Sequence, residues 1–153
     1  MNKNLDYVFK ILANIKIDAY YLPLSNEHLY EFIKFSENFL YELTGFTGDT
    51  GSLLITKNKA YLFVDGRFVI QAKNEINDKR IRIIEICFSN DKIEFINNKL
   101  NLGNKLLVDP KLISISKANI AKDKLKNKKI KFIFNTNFFK SYFERIKKEC
   151  FRL

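Results

Sequence analysis

Residues Thr44 to Arg67 read TGFTGDTGSLLITKNKAYLFVDGR and hold four of the chain's five glycines. Glycine concentrates where the backbone takes positive φ or where another group must approach closely. Gly45, Gly48 and Gly51 follow one another at three-residue spacing, which predicts a shaped loop that few side chains obstruct. Ser52–Thr56 and Ala60–Val64 are apolar and strand-forming, and Lys57-Asn58-Lys59 joins them as a hairpin connection. Asp65-Gly66 then closes the second strand, and Arg67 opens a helical run as far as Ile76.

On either side the apolar pattern switches between the helical and strand periods. Leu5, Val8, Phe9, Leu12 and Ile15 share one helical face, with Asn4 as the expected cap. Ile17–Leu22 reads as a strand stopped by Pro23. Ser25-Asn26-Glu27 reads as a turn opening a helix that carries His28, Glu31 and Lys34, and Ser36 is placed to cap a short helix ending at Gly45. Strands are expected at Arg80–Cys87, Lys105–Val108 and Ile130–Phe134, and helices at Asp91–Leu100, Ser116–Lys126 (capped by Ser114 or Ser116) and Phe138–Cys150. One hairpin among helical crossovers predicts an α/β fold: a mixed sheet of about six strands with helices on both faces. No repeat or low-complexity linker divides the 153 residues, so a single domain spanning 1–153 is expected.

With 46% hydrophobic residues the chain carries enough apolar material for a core. No apolar run reaches the ~18 residues of a membrane span, and no secretory leader is recognisable. Two distant cysteines, Cys87 and Cys150, fit reduced thiols in a cytoplasmic protein. A net charge of +10 raises the question of an acidic partner. Lysine is spread through the chain, with one dense block at Lys117–Lys131. RNA-binding signatures and paired Cys/His zinc spacings are absent from the sequence, so nucleic acid is disfavoured.

The glycine-rich stretch and its flanks carry a family resemblance. TGFTGDTGSLLITKNKAYLFVDGRFVIQA resembles the N-terminal domain of Xaa-Pro aminopeptidases in the creatinase/prolidase family, with its TGF-TGS-like loop, hairpin, TDGRY-like turn and QA helix. DAYYLPLSNEHLYEF, from Asp18 to Phe32, is similar to the family's D-A-Y…P-S…H-x-S-E-Y segment. The specific match runs from Asp18 to Ala72. Asp49 stands where the family has a small residue, Phe68 where it has Tyr, and HLYE lacks the intervening Ser. The resemblance implies a ribonuclease-H-like domain that does not itself catalyse. It also implies a dinuclear, manganese-like metal centre in a pita-bread domain C-terminal to Leu153, a homodimer, and peptide substrates with proline second.

Within this chain the expectation is no metal, no cofactor and no catalytic residue. There is one histidine, and the acidic residues are scattered rather than clustered as a dinuclear site requires. Candidates for substrate access or for an interface are His28, Glu31, Phe46, Asp65 and Arg67, while Gly45, Gly48, Gly51 and Gly66 are candidates for shaping the loop. His28 has two readings: a loop residue reaching a partner subunit's site, or a surface residue at a helix start. Arg67 likewise either presents its planar fork to a carboxylate or pairs with Asp65 or Glu42, with Asp65 capping the helix and Gly66 supplying an unusual φ. The glycine loop lacks the spacing of a phosphate-binding motif, and Asp49 opposes an anion there. A reading of another class is a free-standing basic module that holds an acidic partner on its sheet edge or basic helix.

Overall fold

The computed structural model describes residues 2–25, 28–29, 32–34, 37–136, 138, 141 and 144. Among them, α1 (Lys3–Asn14) leads into β1 (Ala19–Pro23), and α2 (Phe39–Thr44) precedes the hairpin of β2 (Ser52–Ile55) and β3 (Ala60–Val64). A single 3-10 turn (Gly66–Phe68) then runs into α3 (Val69–Glu75). Next come β4 (Ile81–Glu85), α4 (Ser89–Lys99), β5 (Lys105–Val108), α5 (Ile115–Lys124) and β6 (Lys131–Phe134). The sheet has six strands in the order β4-β3-β2-β1-β5-β6. β2 runs antiparallel to both its neighbours, and every other adjacent pair is parallel.

Strand alternation sends neighbouring side chains to opposite faces, and each face has its own core. Leu53, Ile55, Leu62 and Val64 pack with Leu5, Val8 and Leu12 of α1, Leu40 and Leu43 of α2, and Ala72 of α3. Leu54, Tyr61 and Phe63 point the other way, joining Ile96 and Leu100 from the α4 side and Leu125 at the end of α5. β2 and β3 are buried throughout because both faces are covered. Each fully buried leucine contributes about 1.5–3 kcal/mol relative to exposure, so these central strands anchor the domain. This is the mixed sheet, helix-covered on both faces, that the sequence predicts.

Local details depart from expectation where tertiary contacts intervene. α1 is capped by Asn2, not Asn4: Asn2 Oδ1 accepts from the amides of Asn4 (2.9 Å) and Leu5 (3.2 Å). The Asn2 side-chain amide donates in turn to the carbonyls of Leu43 (2.8 Å) and Glu42 (3.2 Å), tying α1 to α2. Asn38 caps α2, its Oδ1 accepting from Tyr41 N at 2.9 Å, and the expected cap Ser36 lies outside the described residues. Ser114 caps α5. No helix forms at the described positions 28–29 and 32–34, and Leu29 has φ +55°, which a right-handed helix does not accommodate. Most of the expected terminal helix falls outside the described residues, but Phe138 is helical and its ring lies 5.3 Å from that of Tyr20.

Candidate functional site: the glycine loop and the Asp-Gly-Arg turn

The loop begins where α2 ends. Gly45 takes φ +77° and its N–H donates to Tyr41 O at 2.7 Å, the left-handed stop the sequence predicts. Thr44 Oγ1 donates to Leu40 O (2.7 Å) and accepts from Phe46 N (3.0 Å), which turns the chain inward. Phe46 is fully buried, edge-on to Phe68 at 6.2 Å. A Cβ on Gly48 would stand 2.2 Å from the Phe46 ring, so Gly48 is required for space rather than for its dihedral. Gly51 is similar in kind, with Phe63 O 3.3 Å from where its Cβ would be. The loop is therefore closed over an aromatic plug instead of standing open.

Its outer surface is held by α3. Thr47 N and Oγ1 donate to the Glu75 carboxylate at 2.9 and 2.5 Å, and Gln71 Nε2 donates to Thr47 Oγ1 (2.9 Å) and Glu75 Oε1 (3.0 Å). Partial burial works to raise the Glu75 pKa, but the Thr47 and Gln71 hydrogen bonds outweigh it and leave the group below its ordinary value. Gln71 and Glu75 stand four apart on one helix face, a spacing that could have flagged the pair in the sequence. Their partner Thr47 had no such signal.

The turn after β3 is built on Asp65. Its Oδ1 accepts from Arg67 N (2.9 Å) and Nε (3.1 Å), and its Oδ2 accepts from Arg67 Nη2 (2.8 Å) and Thr50 Oγ1 (3.2 Å). Arg67 thus pairs with Asp65 rather than Glu42. The Arg67 side chain remains 77% exposed, its guanidinium 5.4 Å from the centre of the Phe68 ring. The hydrogen-bonded guanidinium lowers the Asp65 carboxyl to about 2, and the same contact raises Arg67. Ionised and saturated with donors, Asp65 is no general base at neutral pH. Gly66 has no positive φ, contrary to expectation. A Cβ there would instead meet Glu85 Oε1 at 2.8 Å, the mobile end of a side chain.

Thr50, Gly51, Val64 and Asp65, together with Ile86 and Lys92 across the strand ends, line a shallow cleft of about 160 Å³. Of the other candidates, His28 lies exposed in a turn, and Glu31 lies outside the described residues. Phe46 bears on any partner only through the loop backbone it supports. Among the described residues no group of three or more His, Cys, Asp or Glu side chains converges as a metal site. No helix among them is long and apolar enough to cross a membrane.

A mixed sheet covered by helices on both faces, with a fixed loop and turn at the strand ends, defines the class: an α/β domain. The model of the creatinase/prolidase N-terminal domain matches residues 5–137, and the chain belongs to that family. Aminopeptidase P2 of Arabidopsis thaliana is 32% identical over 129 residues, covering 80% of this chain and 18% of that protein. The chain thus spans about a fifth of the length of this relative. In fold it is similar to X-prolyl aminopeptidase of Caenorhabditis elegans, described as a cytosolic enzyme with a di-nuclear active site (TM-score 0.73, 21% identity, 81% of this chain and 21% of that one). It is also similar to the N-terminal domain of the cytoplasmic peptidase PepQ from Mycobacterium tuberculosis (TM-score 0.69, 19% identity, 92% and 98% covered).

Proposed function

We propose that this chain is the non-catalytic N-terminal domain of an Xaa-Pro aminopeptidase-like metallopeptidase. The whole enzyme would release the N-terminal residue from peptides with proline second, using a dinuclear, manganese-like centre in a C-terminal catalytic domain. The side chains described here do not fit that centre, and no step of the reaction is assigned to them. This domain's part would be to assist dimerisation and to shape access to the site, in a cytoplasmic protein. The observation that carries the reading is the family match over residues 5–137, which includes the plugged glycine loop and the Asp65–Arg67 turn. Exposed Arg67 and Ile70 (74% exposed) stand beside that loop as a mixed charged and apolar surface.

The test is peptidase activity on an Arg-Pro-Pro peptide with added manganese, run on this chain and on the full-length gene product. Turnover by the full-length product alone supports the reading. Turnover by the 153 residues themselves refutes the accessory role. Inactivity of both refutes the assignment to a peptidase.

A further inference from the structure

The net charge of the domain is strongly localised. Eight lysines and one aspartate fall in residues 111–134, leaving 19 basic and 16 acidic side chains for the other 129 residues. The structure gathers that segment at one edge of the sheet: α5 on the face that carries Phe132 and Phe134, the 3-10 turn at Lys126–Lys128, and β6, whose Lys131 and Ile133 turn to the opposite face. Two of the lysines are used internally. Lys128 Nζ donates to the carbonyls of Leu100 (2.8 Å) and Asn97 at the end of α4, and Lys124 donates to Asn90. Lys117, Lys126, Lys129 and Lys131 are exposed. α5 contributes no buried residue of its own. Ile115 (81% exposed), Ile120 (48%) and Phe134 (43%) lie among the lysines, so the face is apolar as well as basic.

β6 is also an edge of the sheet among the described residues. Lys131 N donates to Asn104 O (2.8 Å) and Asn135 N to Val108 O (3.3 Å), both inward toward β5. Alternation along a strand turns the backbone groups of Phe132 and Phe134 to the outer side. We propose that this edge receives an extended acidic segment of a partner protein. The segment adds as a strand along β6, one row of its alternating side chains, the carboxylates, facing the lysines of the α5 side, and the other row, apolar, set beside Ile133 on the opposite face.

Charge decides against a second copy, since two chains of net charge +10 repel across this face. Aromatic geometry decides against single-stranded nucleic acid. Lys122 Nζ covers the Phe134 ring at 4.6 Å and Phe132 stacks on Phe134 at 6.2 Å, so that ring offers no open face to a base. The opposite edge, β4, carries Arg82 and Glu85 together and shows no such bias.

The test uses this chain and a fluorescein-labelled alternating Glu-Val peptide, followed by anisotropy. Binding is expected to weaken as salt is raised. It should weaken by roughly tenfold in a Lys117→Glu, Lys126→Glu, Lys131→Glu variant, and hardly at all in a Lys59→Glu, Lys73→Glu control. Circular dichroism checks that both variants fold. A peptide N-methylated at alternate residues keeps its charge but cannot pair as a strand, and it should lose binding. Equal binding of the methylated peptide, equal binding by the triple variant, or tighter binding of an oligothymidylate each overturns the proposal. The peptidase assay on the full-length product is independent of all three.

Discussion

Replacing Gly48 by alanine puts a methyl group where the Phe46 ring already stands. The new Cβ would lie 2.2, 2.7 and 2.9 Å from three ring carbons, against the ~3.5–4.0 Å of an ordinary carbon contact. The ring must therefore retreat by about 1.5 Å. It is fully buried and held edge-on by Phe68, so the retreat disturbs a packed core. Overpacking of this kind costs about 1–3 kcal/mol, and about 2 is expected here. Phe46→Leu alone should cost about 1.5 kcal/mol through the space it leaves. In the double variant the smaller side chain admits the methyl group, so the two losses should fall short of their sum by at least about 1 kcal/mol. Urea titration of the four proteins, with the slope unchanged among them, measures the coupling. Thermal midpoints should follow at about 2–4 °C per kcal/mol. Additivity within about 0.5 kcal/mol would refute the claim that Gly48 exists to make room for Phe46.

Gly45→Ala probes conformation instead of space, because φ is +77° and the nearest atom, Glu75 O, is 3.8 Å away; a loss of about 1–2 kcal/mol by urea titration is expected, with no coupling to Phe46. Asp78 accepts from Arg80 Nη2 (2.6 Å) and Nε (2.9 Å) and from Asn2 N (3.0 Å), and the Arg80 guanidinium holds its carboxyl well below the usual carboxylate range. Because the folded pKa lies below the unfolded value of 3.8, this contribution is full above that pH and is lost as pH falls below it. Asp78→Asn should therefore destabilise at neutral pH by about 2 kcal/mol and flatten the acid limb of the stability curve; an unchanged acid limb would count against the assignment. Asp65 follows the same sign, its contribution lost between 3.8 and about 2, but the Asp65–Arg67 pair is exposed. Arg67→Ala should accordingly leave the thermal midpoint almost unmoved; under the proposed function it should raise KM in the full-length enzyme, and an unaltered KM would remove Arg67 from the proposed substrate access.

All six strands were legible from their apolar runs, and four of them, β1, β2, β3 and β5, are also punctuated by residues with a marked effect on the backbone or by a short polar link: Pro23, Lys57-Asn58-Lys59, Asp65-Gly66 and Asp109-Pro110. Their observed bounds differ from expectation by a residue or two at the ends. Asn2 was not legible as a cap, because its advantage over Asn4 comes partly from two carbonyls about forty positions away in α2. The glycines divide in the same way. Gly45 could be read from the helix it terminates, which is local, whereas the role of Gly48 depends on the inward turn of the nearby Phe46 ring, and that of Gly66 on Glu85, which only packing brings near. The Asp65–Arg67 pair was among the readings the sequence left open, since two residues' separation permits it. The hold of Thr47 on α3 crosses 28 positions and was not.

The pairing of β1 with β5 bears on how the domain is made. The β2–β3 hairpin closes through a few residues and can form early. β1 sits at the middle of the sheet, yet its parallel neighbour arrives 87 positions later, where Lys105 N reaches the Asp18 carboxylate. Until that second half is synthesised, β1 has an unpaired side and the core around Leu54 and Phe63 has no cover from α4. Loop closure of that length is slow and entropically unfavourable, so docking of β5 is the expected late event in folding. On the ribosome the nascent chain carries an exposed, apolar strand edge through the synthesis of most of the domain, and chaperone capture is expected in that interval.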